Sequence, residues 1–98
     1  MSTRAIIKIE GFKVAKVYKH YDGYPEGMIE WLTKFNEEFA KERGDDPSYK
    51  FAQLLRHSTR WFPTDGFLGW GVVEYKCSCG EDFEYVLKKD GTVTFKKS

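Results

Sequence analysis

Hydrophobic and polar residues alternate in two short segments at the start of the chain. Residues 5–9 place Ala5, Ile7 and Ile9 on one side, and after a Glu-Gly pair the apolar residues resume over 12–21. Two such runs around a glycine predict a β-hairpin. Lysines recur along both runs, at Lys8, Lys13, Lys16 and Lys19. Their recurrence is typical of a solvated face or a protected sheet edge.

The periodicity then becomes helical. Four apolar residues follow one another at intervals of three or four positions: Met28, Leu32, Phe35 and Phe39. This spacing predicts a helix with one buried face, near residues 26–43. The preceding segment is rich in turn-forming residues, and Pro25 suits the first turn of a helix.

A second helix is predicted near residues 47–58. Asp46 is a suitable N-cap, and the following proline suits the first helical position. Phe51, Leu54 and Leu55 form the inner face of this helix.

The last third of the chain returns to alternation. Apolar and polar residues alternate over 70–77 and again over 83–88, and Val93 and Phe95 follow in the final segment. The alternation predicts that the core side of these strands holds Val73, Tyr85, Leu87, Val93 and Phe95. An Asp-Gly pair at position 90 is a strong hairpin signal. These patterns predict a three-strand antiparallel meander at the C-terminal end.

The predicted order of elements is therefore ββ-αα-βββ. Segregated strands and helices indicate an α+β fold, in which two helices cover one face of an antiparallel sheet. The sheet is built from the N-terminal hairpin and the C-terminal meander. A length of 98 residues indicates one domain, spanning residues 1–98.

Charge and composition narrow the function classes. The chain has 16 Lys and Arg against 15 Asp and Glu, a net charge of +1. A nearly neutral chain is not typical of a dedicated nucleic-acid binder. No apolar run approaches the roughly 20 residues of a membrane helix, and the charged N-terminal segment is unlike a signal peptide. We therefore expect a cytoplasmic protein without a membrane or nucleic-acid partner.

The chain is poor in side-chain amides. It contains one Asn (Asn36) and one Gln (Gln53), while 32% of its residues are charged. Depletion of thermolabile amides together with many charged residues is typical of hyperthermophile proteins. The composition thus favours a thermophilic source.

His20, Asp22 and Tyr24 form the most unusual local group. If the strand continues to residue 22, His20 and Asp22 point the same way, as in an acid–base dyad. The alternative is a structural corner, in which the carboxylate accepts N–H groups at the start of the first helix. We expect mainly the structural role and keep the three residues as candidate ligand contacts.

A family resemblance is carried by the same segment. Residues 18–27 (YKHYDGYPEG) resemble the hallmark of an uncharacterised family of small proteins from phages, prophages and archaeal viruses or plasmids. The acidic-aromatic segment 82–87 (DFEYVL) is similar to a late strand of that family. The resemblance implies a mobile-element origin and transfers no catalytic residue.

Cys77 and Cys79 would supply at most half of a zinc site. Structural zinc usually takes four ligands, commonly from paired cysteine motifs, and a second pair is absent from the sequence. The two thiols either remain free, join in a strained disulfide, or bind zinc together with distant histidines. We expect free thiols, no metal and no cofactor.

Arg60, Trp61 and Trp70 flank a loop rich in aromatic residues. Arginine and tryptophan side chains stack on bases, so these residues are candidate contacts for a nucleotide. Helix capping and core packing is the favoured alternative for these residues, because the chain is not basic overall. The chain lacks a phosphate-binding glycine motif, and no Ser or Cys has a neighbouring base in an arrangement typical of a catalytic nucleophile.

The sequence favours a non-enzymatic protein-interaction module. Exposed aromatic patches mark interfaces, and homodimers are the commonest assemblies, so we expect a host protein or a second copy as the partner. The alternative is a binder of a small ligand or nucleotide, with or without enzymatic activity, at the corner of His20, Asp22 and Tyr24.

Overall fold

The computed structural model describes residues 3–19, 24–43, 46–61, 70–77 and 80–97, without the side chains of residues 58–61 and 70. The elements are β1 (Ala5–Ile9), β2 (Phe12–Lys19), α1 (Pro25–Arg43), α2 (Pro47–Trp61), β3 (Trp70–Glu74), β4 (Phe83–Leu87) and β5 (Val93–Lys97). Their types and order confirm the predicted α+β fold with a five-stranded sheet and two helices.

The strand order corrects the predicted topology. The sheet runs β3-β2-β1-β4-β5. The N-terminal hairpin is confirmed, but β1 also pairs with β4 in parallel, so the sheet is not entirely antiparallel. The predicted three-strand meander is wrong, because β3 pairs with β2 and only β4 and β5 form a hairpin. The physical reason lies in β1, whose Ile6 and Ile7 are buried on opposite faces, as in a central strand.

The connection between β3 and β4 covers the sheet face opposite the helices. These strands run in the same direction with β2 and β1 between them, so the chain passes both strands between the end of β3 and the start of β4. Lys8 Nζ lies 5.0 Å from the ring centre of Tyr75, and Lys16 Nζ donates a hydrogen bond to the carbonyl of Cys77. Lys8 in β1 and Lys16 in β2 alternate with core residues of the same strand, so both side chains point away from the helices.

Both predicted helix starts are confirmed. α1 begins at Pro25, and the Tyr24 carbonyl accepts the N–H of Met28 at 3.2 Å. α2 begins at Pro47, and the Asp46 side chain accepts the N–H of Tyr49 at 3.4 Å. Prolines therefore occupy first-turn positions, where the missing N–H has no intrahelical role.

The hydrophobic core lies between the helices and one face of the sheet. α1 packs against β4 and β5, and α2 packs against β1 and β2. The buried members are Ala5, Ile7, Ile9, Val17, Met28, Trp31, Leu32, Phe35, Phe39, Phe51, Leu54, Tyr85 and Leu87. Among the described residues, neither helix is both long and apolar enough to span a membrane.

Four side chains lie elsewhere than predicted. Lys16 and Lys19 were expected on a solvated face or a protected sheet edge, but they are 4% and 0% exposed, and β2 is not an edge strand of the described sheet. Lys16 lies beneath the β3–β4 connection, and Lys19 shares the helix-covered face with core residues. Phe95 was expected in the core but is 49% exposed, because β5 is an edge strand. Val73 pairs with Lys16 and so points away from the core.

Candidate functional site

Three aromatic side chains form a triangular cluster at the β5 end of the sheet. The ring centres of Tyr85 and Phe95 lie 5.9 Å apart, and that of Phe83 lies 6.5 Å from each. Tyr85 is fully buried, whereas Phe95 is half exposed. Burial raises the pKa of the Tyr85 hydroxyl, and the negative charge of Glu26 adds to this effect. This aromatic cluster therefore extends the core to the edge of the sheet and exposes a ring there.

The backbone of β5 presents hydrogen-bonding groups on the side away from β4. The N–H of Lys88 donates to the carbonyl of Thr92 at 2.9 Å. In an antiparallel ladder, every second residue of a strand forms its backbone hydrogen bonds with the same neighbouring strand, and the residues between them face the other side. The N–H and C=O groups of Val93, Phe95 and Lys97 consequently point away from β4. We call these groups the outer edge of β5.

A buried asparagine holds the tip of the β4–β5 hairpin against the helices. Asn36 Nδ2 donates to the carbonyls of Lys88 and Thr92 at 2.9 and 2.8 Å. Its Oδ1 accepts a hydrogen bond from Lys50 Nζ at 2.7 Å. One α1 side chain thus joins the hairpin tip to α2, and the outer edge of β5 is held in place before any partner binds. Preorganisation of this kind lowers the entropy cost of binding.

The turn of this hairpin is fixed by its own side chains. Asp90 Oδ1 accepts hydrogen bonds from the hydroxyl and the N–H of Thr92, and these bonds hold the pKa of the Asp90 carboxyl below its usual value. Gly91 has φ +94° and lies close to Ala40 of α1. A side chain at position 91 would be strained in this conformation.

Glu84 links two lysines on the face opposite the helices. Its carboxylate oxygens lie 2.8 Å from Lys8 Nζ and 3.3 Å from Lys96 Nζ. Burial acts to raise the pKa of the Glu84 carboxyl, but the hydrogen bonds and charges of the two lysines outweigh it, so the pKa is lowered. The hydrogen bond to Glu84 correspondingly raises the pKa of Lys8. The charge of Lys96, a β5 residue, is therefore compensated within the chain.

This ion group predicts a pH-dependent contribution to stability. The Glu84 pKa is lower in the folded than in the unfolded protein, where it is about 4.3. Its stabilisation is therefore present above the unfolded pKa and disappears as the pH falls through the folded one. We expect Glu84→Gln to cost about 1 kcal/mol at neutral pH and progressively less in acid. Denaturant titrations of both proteins across this range measure the difference, and a constant difference would contradict the assignment.

A cleft between α1 and α2 is a second candidate site. It has a volume of about 410 Å³, which lies in the range of small-ligand pockets. Its walls contain Phe35, Glu38, Phe39, Glu42, Arg43, Tyr49, Gln53, Arg56 and His57. The Arg43 guanidinium stacks on Tyr49, 4.2 Å from the ring centre. The cleft thus combines aromatic rings with acidic groups on α1 and basic groups mainly on α2.

Few of the sequence-predicted site residues fall within the described side chains. Tyr24 is exposed, and its carbonyl takes part in the start of α1. His20 and Asp22 lie outside the described residues, so the proposed dyad and the structural corner both stay predictions.

The remaining predicted residues are described in part. The backbones of Arg60 and Trp61 belong to α2, and Trp70 pairs with Lys19 in the sheet, but the side chains of all three predicted residues lie outside the description. Cys77 is exposed.

Cys79, the other thiol considered as a zinc ligand, lies outside the described residues. Within the described ranges, no group of three or more His, Cys, Asp or Glu side chains could hold a metal ion.

Asn36 and Phe95 are the site residues that the sequence reasoning missed. Asn36 is the one asparagine of the chain and follows Leu32 by one helical turn, so its place on a buried helical face was a usable signal. The exposure of Phe95 had no comparable signal, because alternation does not tell an edge strand from a central one.

The comparisons with known proteins give no family assignment. The chain matches no protein-family model, no curated protein and no solved structure.

Proposed function

We propose that this protein is a non-enzymatic protein-interaction module that binds an extended segment of another protein along the outer edge of β5. The observation that carries this proposal is an edge strand held by Asn36, with the half-exposed Phe95 at its centre. An added strand would use the backbone groups of Val93, Phe95 and Lys97. Its side chains would cover the aromatic cluster.

Strand addition suits this edge physically. Backbone hydrogen bonds supply affinity for an extended segment, and pockets for alternate side chains supply specificity. Lysines commonly protect sheet edges from such pairing. Here Lys96 is compensated by Glu84, and Lys97 stands at the end of the strand, so the centre of the edge carries no uncompensated charge.

The test is a selection of extended segments from a peptide display library against the purified protein. Selected segments should lose at least tenfold in affinity for Phe95→Lys. Val72→Lys is the matched control, because Val72 is 52% exposed on β3, the other edge strand of the described sheet. Absence of any selected binder, or equal loss with both variants, would overturn the proposal.

We further propose a viral or mobile-element origin in a thermophile, with a host protein or a second copy as the partner. This rests on the resemblance of residues 18–27 and on the amide-poor composition. The alternative function, binding of a small ligand or nucleotide, is supported by the α1–α2 cleft. A nucleotide and metal panel in a thermal-shift assay separates the two, because a ligand specific for the folded state raises the melting temperature.

A further inference from the structure

We propose that the segment docking on the outer edge of β5 is β5 of a second copy, so that two chains form a continuous sheet across a two-fold axis at Phe95. This inference rests on the proposed function and names the partner of that edge. In an antiparallel arrangement, Phe95 lies opposite Phe95 of the second copy. Val93 then lies opposite Lys97 of the second copy, and Lys97 lies opposite Val93 of the second copy.

The ladder geometry favours this register over its neighbours. Val93, Phe95 and Lys97 are the β5 residues whose N–H and C=O groups face outward, given the bond between Lys88 and Thr92. An axis at Phe95 pairs all three with outward-facing residues of the second copy. Each such pair exchanges two hydrogen bonds, so the arrangement forms about six. An axis at Thr94 would leave Lys97 without a β5 residue of the second copy opposite it, and an axis at Lys96 would do the same to Val93.

The side chains support the same register. Phe95 lies on the helix-covered face, because it pairs with the buried Tyr85. Side chains directly opposite each other on paired strands have Cβ atoms about 4.5–5.5 Å apart. The two Phe95 rings would therefore meet, joining the aromatic clusters of both copies and covering the exposed ring of each.

Charge placement also fits the two-fold arrangement. Lys96 lies opposite Thr94 of the second copy and keeps its ion pair with Glu84. The two Lys97 residues stand at opposite ends of the junction, about 13 Å apart for four residues at ~3.3 Å each. A parallel, in-register junction would instead place each lysine beside its counterpart, which disfavours it.

The expected dimer is weak and reversible. A junction of two five-residue strands is smaller than the ~1,200–2,000 Å² of stable protein interfaces. We therefore expect dissociation constants in the micromolar range or weaker, roughly at the low end of specific association.

Sedimentation and amide hydrogen exchange across a concentration series test the association. We expect the dimer to grow with protein concentration, and the exchange of the Phe95 amide to slow at the same time. Phe95→Lys and Lys97→Pro should be monomeric, and Val72→Lys should dimerise like the wild type. Lys97→Pro removes an outward N–H at the strand end and so leaves the core intact. A dimer abolished by Val72→Lys but kept by Phe95→Lys would overturn the inference.

Cysteine cross-linking tests the register. In a Cys77→Ser, Cys79→Ser background, Phe95→Cys should form an intermolecular disulfide, because opposite Cα atoms about 5.5 Å apart satisfy disulfide geometry. Lys97→Cys is the control and should not cross-link to itself. Equal cross-linking of both variants, or of neither, would overturn the two-fold register.

Two outcomes distinguish this inference from the proposed function. If the wild type stays monomeric while display-selected segments still bind β5, self-pairing fails and the proposed function stands. If neither association occurs, both fail.

Discussion

Phe35→Ala is expected to lower the free energy of unfolding by about 3–5 kcal/mol, the usual range for truncating a buried phenylalanine. Phe35 is 7% exposed and belongs to the hydrophobic core. Its ring centre lies 6.2 Å from that of Phe39 on the same helix, α1, and 5.4 Å from that of His57 on α2. Phe35 therefore packs between the two helices. Truncation would remove these contacts and leave a cavity between α1 and α2.

Phe95→Ala is the matched control for this prediction. It removes the same atoms from a half-exposed site, and we expect a cost of about 1 kcal/mol because less apolar area is lost from the folded state. Equilibrium denaturation of both variants measures the difference. If Phe35→Ala costs no more than Phe95→Ala, the helix packing described above is wrong.

The helices were predictable because their signals are local. The four residues of the α1 stripe, Met28, Leu32, Phe35 and Phe39, are all buried. A buried helical face repeats within one segment, and a proline at a helix start acts within one turn. Neither signal depends on which strands lie beneath the helix.

Strand neighbours were not predictable in the same way. Alternation correctly placed Tyr85 and Leu87 on the core side of β4. It carries no information about pairing, which is settled by burial over the whole sheet. β1 is buried on both faces and takes the centre, while the Thr- and Lys-rich β5 takes an edge. The same missing information led to the incorrect placement of Phe95 in the core.

The candidate site was only partly accessible from the sequence. The predicted corner at residues 20–24 attracts attention because polar and aromatic side chains crowd together there. The outer edge of β5 is defined instead by backbone groups and by a contact between Asn36 and two hairpin carbonyls. Such features arise from residues more than 50 positions apart, so no local pattern reports them.

The second large effect is expected at Asn36, whose replacement by Ala should cost about 3–4 kcal/mol. The change removes both hydrogen bonds to the hairpin carbonyls and leaves the buried Lys50 ammonium without this acceptor. Loss of a partner for a buried polar group costs about 1–3 kcal/mol, and more where a charge is involved. The amides of Gly91 and Thr92 should also exchange faster with solvent, because the hairpin tip loses its bonds to α1.

Two further variants separate the hydrogen bonds from the size of the side chain. Asn36→Asp keeps the volume and the acceptor for Lys50 but removes both donated bonds, so it should also destabilise the tip. Lys50→Met keeps most of the buried stem and removes the ammonium. In a double-mutant cycle, Asn36→Ala and Lys50→Met should show a coupling of at least about 0.5 kcal/mol, as contacting residues do. Wild-type stability in Asn36→Asp, or strictly additive costs in the cycle, would show that the hairpin carrying the outer edge of β5 is held by other contacts.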